Sequence, residues 1–204
     1  MTFLSKKEPL KCLQQNIADL YPYLVKLEYS KFIYVSSILV YPQSNVRLKE
    51  DMPIDIFQLG LYGAHKYMGE RYVREFAKKW LIVRPTSFFG NGLKKNLLFD
   101  LRNGSPDVYL KKNSWMDYMP IDWFCERLAE IAQIKNNEII NMGSGHPVLV
   151  SKIVSFRNLP YKFFEERWQD DRIVDLDKFF SCGLNMLQPD DLEKMIKDFV
   201  LQNL

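Results

Sequence analysis

"KFIYVSSILVYP", residues 31–42, decides the fold of this 204-residue chain. Its first seven residues are a short run of apolar, β-branched and aromatic side chains, the composition of a strand. The run ends on two serines, Ser36 and Ser37. A loop of mixed polarity with Pro42 and Pro53 leads to helical spacing over about 58–78, and a second apolar run, "WLIVRPTSFFG" (80–90), is ended by Pro85 and Gly90. Strand, helix and strand in succession predict two parallel strands joined by a crossover helix.

Working outward, "LKCLQQNIADLYPYLVKLEY" (10–29) has helical spacing. It places Leu10, Leu13, Ile17, Leu20 and Leu24 on one face, with a kink expected at Pro22. Downstream, a helix is expected over 93–103, stopped by Asn103 and Gly104. "PIDWFCERLAEIAQI" (120–134) opens with good first-turn residues and continues with amphipathic spacing. "EIINMGSG" (138–145) reads as a strand running into a glycine turn, and Pro189, Asp190 and Asp191 start a last helix. The alternation gives an α/β class with a parallel sheet.

Composition narrows the rest. A hydrophobic fraction of 47% and an aromatic fraction of 14% describe a folded globule of one domain, or a domain with a small lobe. The net charge of +3, from 28 basic and 25 acidic residues scattered among each other, carries no nucleic-acid footprint. Cys12, Cys125 and Cys182 lie far apart and lack metal-ligand spacing, so no metal is expected and a reducing compartment suits them. No apolar run approaches the roughly 18–20 residues of a membrane span, and "MTFLSKKEPLKCLQQN" is too polar for a signal peptide. The expected location is cytoplasmic, with no membrane partner.

Chemistry enters at "LGLYGAHKYMGERYVREF" (59–76), where Tyr62 and Lys66 stand four apart on one helix face. An ammonium beside a phenol favours the phenolate and lowers its pKa from about 10, and such a Tyr exchanges protons with an alcohol or ketone. Taken alone the pair reads better as two polar residues on a helix surface, because Y-x-x-x-K arises by chance in many helices. Ser37 adds weight, because open α/β sheets bind ligands at the C-terminal ends of their strands. His65, three residues from Tyr62, reads as helix surface.

Together "KFIYVSSILVYP", "YGAHKYMGER" and "WLIVRPTSFFGNG" resemble, in order and spacing, the extended short-chain dehydrogenase/reductase family. These are nucleotide-sugar epimerases, dehydratases and reductases reading "vyvSSxxvYG", "YxxSKxxxE" and "RpxnvyG". Ser37 lies four residues before Tyr41 and 25 before Tyr62, as in members similar to UDP-galactose 4-epimerase. Further along, "KNLLF" (95–99), "SWMDYMPIDWFCERLAE", "IINMGSG" and "RIVDLDKFFSCGLNML" are similar to later elements of the family, so that the likeness spans about residues 10 to 200.

The resemblance implies a fold, roles and partners. The fold would be the C-terminal portion of a Rossmann-like, doubly wound parallel sheet with a small α+β substrate lobe. Residues 1–92 would form an incomplete Rossmann-like domain and 93–204 mainly the lobe, with 120–145 returning to the sheet. Tyr62 would be the acid/base, Lys66 would tune it and bind the nicotinamide ribose of NAD or NADP, and Ser37 would orient the reacting oxygen. Pro85 would flank the cofactor, Ser87 and Asn96 would contact a nucleotide-sugar substrate, and Arg167, outside the matched motifs, would supply a replacement for the family's substrate-binding arginine. The family's arginine in "RDY" is Met116 here, its glycine after "vY" is Pro42, and its asparagine in "RpxN" is Ser87.

The family's G-x-x-G-x-x-G turn, which brings backbone amides to the pyrophosphate, has no counterpart among the nine glycines. The strand at 31–37 would then lack a neighbour, and such an edge is paired, covered or prone to aggregation. A homo-oligomer or a complementary N-terminal chain is the expected partner. Two functions stay open: the catalytic half of an NAD(P)-dependent enzyme, or a non-catalytic relative serving as scaffold or partner subunit.

Overall fold

The computed structural model describes residues 7–44, 46–164 and 172–202. Its first helix, α1 (Pro9–Leu13), runs into a π turn over Gln14–Ala18, closed by Asp19 N–H donating to the Gln14 carbonyl, and then into α2 (Leu20–Lys26). A π turn inserts one residue into the helical repeat and rotates everything on its far side. The expected single stripe is therefore broken. Leu20 and Leu24 are buried, but Leu10 and Leu13 are 79% and 40% exposed and Cys12 points inward in their place. The helix is interrupted at Asp19, three residues before Pro22, which lies in the first turn of α2, where its missing N–H leaves no intrahelical bond unmade.

The strand at the opening motif is β1 (Phe32–Val35). Helix α3 (Leu61–Phe76) crosses over from it to β2 (Trp80–Pro85), and the two strands pair in parallel, Phe32 opposite Trp80 and Val35 opposite Val83. Next come β3 (Ser87–Phe89), α4 (Leu97–Arg102), β4 (Asp107–Val108), β5 (Trp115–Met116) and β6 (Tyr118–Pro120). Helix α5 (Ile121–Ile134) then returns the chain to β7 (Glu138–Met142), which pairs in parallel with the other side of β2. The main sheet has the order β1-β2-β7.

Helices cover both faces of this sheet, as in a doubly wound fold. Leu20 and Leu24 of α2 and Val73 of α3 pack with Tyr34, Ile82 and Ala77 on one side. On the other, Phe124 and Ile131 of α5 pack with Leu81, Val83, Ile140 and Met142. Each of these fully buried aliphatic side chains contributes about 2 kcal/mol of burial. The second cover stops short of β1: Ile33 and Val35, which share a face with Leu81 and Val83, are 40% and 36% exposed.

The remaining elements form a lobe with its own apolar core. Helices α6 (Val150–Ser155) and α8 (Pro189–Leu201) pack with α4 around Leu98, Leu101, Ile153, Leu192, Ile196 and Phe199. Its strands are two-residue pairs: β4 with β9 (Lys162–Phe163) in parallel, and β5 with β8 (Val148–Leu149) antiparallel. A parallel pair, β3 with β6, joins the lobe to the sheet. A short helix, α7 (Asp177–Phe180), adds Phe179 to the sheet core.

Candidate active site

The C-terminal end of β1 carries the first candidate. The Ser37 hydroxyl accepts the Leu39 N–H at 3.1 Å and caps a 3-10 turn over Ile38–Val40. Helix α3 lies directly against that turn, since a Cβ added at Gly63 would stand 2.0 Å from the Leu39 carbonyl oxygen. Only glycine permits this approach. Gly63 follows Tyr62, so this contact brings the first turn of α3 onto the turn that Ser37 caps.

Lys66 stands one helical turn further on. Its ammonium donates to the Val35 carbonyl at 3.0 Å and lies 5.0 Å from the centre of the Tyr34 ring and 5.9 Å from that of Tyr62. The Phe32 amide donates to the Lys79 carbonyl just before β2 and the Ser36 amide to the Val83 carbonyl within it, so the strand's alternation turns the Val35 carbonyl to the other edge, where Lys66 meets it. Burial lowers the Lys66 pKa, while Cys12 and Glu70 act to raise it.

Tyr62 departs from the expectation. Its pKa is not drawn below the ordinary tyrosine value but pushed up to about 12, by burial first and by the Cys12 side chain second. At 5.9 Å, and engaged with a backbone carbonyl, the Lys66 ammonium does not offset that burial. In this arrangement the Tyr62 phenol is protonated near neutral pH. His65 also departs from the expectation of helix surface: it is buried, with Nδ1 3.3 Å from Cys12 Sγ, and burial lowers its pKa.

The other expected residues take varied places. Pro85 ends β2 opposite Met142, and the next residue, Thr86, has a buried hydroxyl without a partner among the described residues. Ser87 opens β3, its N–H donating to the Asp117 carbonyl. Asn96 has φ +135° and uses both ends of its carboxamide: Oδ1 accepts the Phe99 N–H at 3.0 Å, and Nδ2 donates to the Phe88 carbonyl at 2.8 Å. Met116 packs against the apolar core of the lobe. Arg167 lies outside the described residues.

Two polar clusters behind the site are formed by residues of the quoted motifs to which the sequence assigned no role. Asp117 accepts hydrogen bonds from the Ser144 hydroxyl and from the Ser144 and Gly145 amides at 3.1 and 3.4 Å, tying β6 to the glycine turn after β7. Burial raises its pKa against these bonds. Gly143 is required there, because a Cβ would lie 2.4 Å from Asp117 Oδ2. The second cluster is centred on Glu70 and Arg84, both 1% exposed and paired at 2.7 Å. Its signal was available: Glu70 falls four residues after Lys66, on the helix face that carries the candidate pair.

Among the described residues, the groups at the site suit one part of a dinucleotide. The Lys66 ammonium and the Val35 carbonyl at the open edge can hydrogen-bond a ribose diol, whereas the sequence contains no glycine cluster to approach a pyrophosphate. Among the described residues no helix is long and apolar enough to cross a membrane.

Comparison with solved structures places the fold. The chain is similar to UDP-N-acetylglucosamine 4-epimerase from Methanobrevibacter ruminantium M1 in complex with UDP-N-acetylmuramic acid (TM-score 0.82, 19% identity, covering 96% of this chain and 71% of that one). It is similar to UDP-glucose 4-epimerase from Thermotoga maritima with UDP-glucose (TM-score 0.79, 20% identity, 97% and 72%). It also resembles UDP-glucuronic acid 4-epimerase from Bacillus cereus in complex with UDP-glucuronic acid and NAD (TM-score 0.79, 18% identity, 92% and 68%). At these identities the likeness is one of fold. No curated protein matches the sequence significantly. The family model described as NAD dependent epimerase/dehydratase matches residues 5–143, more than half of the chain. The strand–helix–strand unit, the Ser37 turn and the Tyr62–Lys66 helix all fall within that match, and the chain belongs to the NAD dependent epimerase/dehydratase family.

Proposed function

We propose that this chain supplies the catalytic half of an NAD(P)-dependent epimerase, dehydratase or reductase acting on a nucleotide-linked sugar. The observation that carries the reading is the Gly63–Leu39 contact, which holds the turn bearing Tyr62 against the turn capped by Ser37, with Lys66 beside them. Tyr62 donates or accepts the proton of the sugar oxygen, Ser37 orients that oxygen, and Lys66 holds the ribose and the local positive charge. Pro85 ends β2 and would flank the cofactor, Ser87 opens β3 two residues later and would contact the sugar, and Asn96 shapes the lobe side through its cap on α4. When bound, the nicotinamide supplies hydride transfer, the part of the chemistry that side chains cannot perform.

The uncovered edge of β1 is where a complementary chain, or a second copy, would complete the sheet. A polypeptide carrying a strand and a glycine-rich turn is the occupant that would also bind the pyrophosphate. The test is to mix the chain with such a polypeptide, follow NAD binding by calorimetry, and assay turnover of UDP-glucose and UDP-galactose. Binding only in the mixture, with turnover abolished by Tyr62→Phe, is the expected result. No binding in a complex shown to form would reject the proposal. The second reading, a non-catalytic scaffold or partner subunit, is supported by Met116, whose side chain serves the lobe core at the position of the family's arginine. Unchanged behaviour of Tyr62→Phe in every assay would favour it.

A further inference from the structure

We propose that the buried Glu70–Arg84 pair is the positioning element of the candidate site, setting the Ser37 turn, the Tyr62–Lys66 helix and the Pro85 end of β2 relative to one another and keeping a fixed negative charge beside Lys66. The assignment of those residues rests on the proposed function; the charge and the geometry do not.

Glu70 Oε1 accepts the Ser36 hydroxyl at 2.5 Å and Arg84 Nε at 2.9 Å, and Oε2 accepts Arg84 Nη2 at 2.7 Å. Ser36 precedes Ser37, Arg84 precedes Pro85, and Glu70 stands one turn after Lys66. Three separate segments, each with a candidate residue next to the contact, therefore meet at one carboxylate. Arg84 Nη1 continues outward to the Tyr41 hydroxyl at 2.8 Å, which donates to Asn141 Oδ1 on β7 at 2.8 Å. The Asn141 amide in turn donates to Glu50 Oε1 at 2.9 Å.

A buried ion pair is no better for stability than well-packed apolar side chains of the same volume. What a bidentate guanidinium–carboxylate pair adds is direction, since two parallel bonds fix an angle as well as a distance. That property is useful where a strand end and a helix must hold register at a reacting centre. The second contribution is charge. The titratable groups acting on Lys66 are Cys12 from α1, Tyr34 from β1, and Tyr62 and Glu70 from its own helix. Glu70 is the carboxylate among them, and it opposes the lowering of the Lys66 pKa by burial.

The test uses the full chain and needs neither cofactor nor sugar, so it stands or falls separately from the proposed function. Glu70→Leu/Arg84→Met replaces both charges by an apolar pair, with folding checked by near-ultraviolet circular dichroism. Lysines are labelled with trace acetic anhydride and read by mass spectrometry, with exposed Lys26 and Lys78 as references. At pH 8, Lys66 of the double variant is expected to label about tenfold faster than in the parent, because loss of the Glu70 carboxylate lets burial lower its pKa further. The excess should vanish by pH 11, where accessibility alone would leave it in place. Glu70→Asp, which keeps the charge, should restore most of the parent rate. An unchanged rate in the folded double variant, or an excess that persists at pH 11, overturns the proposal. Should the double variant not fold, Ser36→Ala serves instead. It leaves the ion pair intact and should speed hydrogen exchange of the Leu39 amide about tenfold, and an unchanged exchange rate there overturns the positioning role.

Discussion

The sheet region and the lobe are held together by different means. Behind the candidate site, β1, β2, β7 and α3 are joined by directional polar contacts running from Ser36 through Glu70, Arg84 and Tyr41 to Asn141. In the lobe, α4, α6 and α8 meet around Leu98, Leu101, Ile153, Leu192 and Ile196, and the strands are only two residues long. Apolar packing tolerates rearrangement if volume and pattern are kept, whereas a hydrogen-bonded charge network specifies distance and angle. The contrast teaches where accuracy is needed. The region bearing the candidate acid/base adds a buried, directional charge network to its apolar cores, whereas in the lobe polar bonds such as those of Arg157 to the Leu101 and Arg102 carbonyls surround an apolar core.

The sharpest way to break this comparison is Arg84→Met. It leaves the Glu70 carboxylate buried without its partner, and urea unfolding should show a loss of about 3–5 kcal/mol. A loss below roughly 1 kcal/mol would mean that the network does not hold the sheet region. In the lobe, Leu101→Ala should cost about 2–5 kcal/mol through the cavity it leaves. Combined with Arg84→Met, it should add to within about 0.5 kcal/mol if the two regions are energetically independent. A larger coupling would show them to be one unit.

Gly63→Ala tests the contact that joins the two turns of the site. With the Leu39 carbonyl 2.0 Å from the added Cβ, the helix must retreat. The expected cost is about 1–3 kcal/mol, together with faster hydrogen exchange at Leu39. A neutral substitution would remove the main geometric support for pairing Ser37 with Tyr62.

The smallest effect is alkaline. Tyr41 and Tyr62 have folded pKa values raised from 10.0 to about 12, chiefly by burial. A raised folded value means that the stability linked to the neutral phenols is complete below pH 10 and is lost as pH climbs towards 12. The melting temperature should therefore fall across that window, and less steeply in Tyr62→Phe, as thermal denaturation at stepped pH would show. Equal slopes in parent and variant would place Tyr62 in contact with solvent.

Much of this arrangement was legible in the chain. The apolar runs at 31–37 and 80–90 became β1 and β2 in parallel register, and Pro189 with two aspartates did start the last helix. The helix expected over 93–103 forms only from Leu97, because Asn96, at positive φ, spends its carboxamide on the cap. Burial of His65 was not legible; nor was exposure of Leu10, since one additional residue at the π turn changes the face without changing the composition. The Tyr62 pKa also ran against the local pattern. The spacing of Tyr62 and Lys66 says that their side chains share a face, but not how much water reaches the phenol.

By itself, then, the sequence determined the class of fold, the order of its elements and the family, because periodicity and motif spacing are properties of neighbouring residues. Tertiary structure alone decided that Gly63 lets α3 rest on the Ser37 turn, that Lys66 bonds the open edge of β1, and that Ser36, Glu70 and Arg84 meet. The last of these joins residues 34 and 14 positions apart. Such meetings depend on strand register and helix crossing, and burial, which sets the charge of every group involved, exists only once the chain has closed around them.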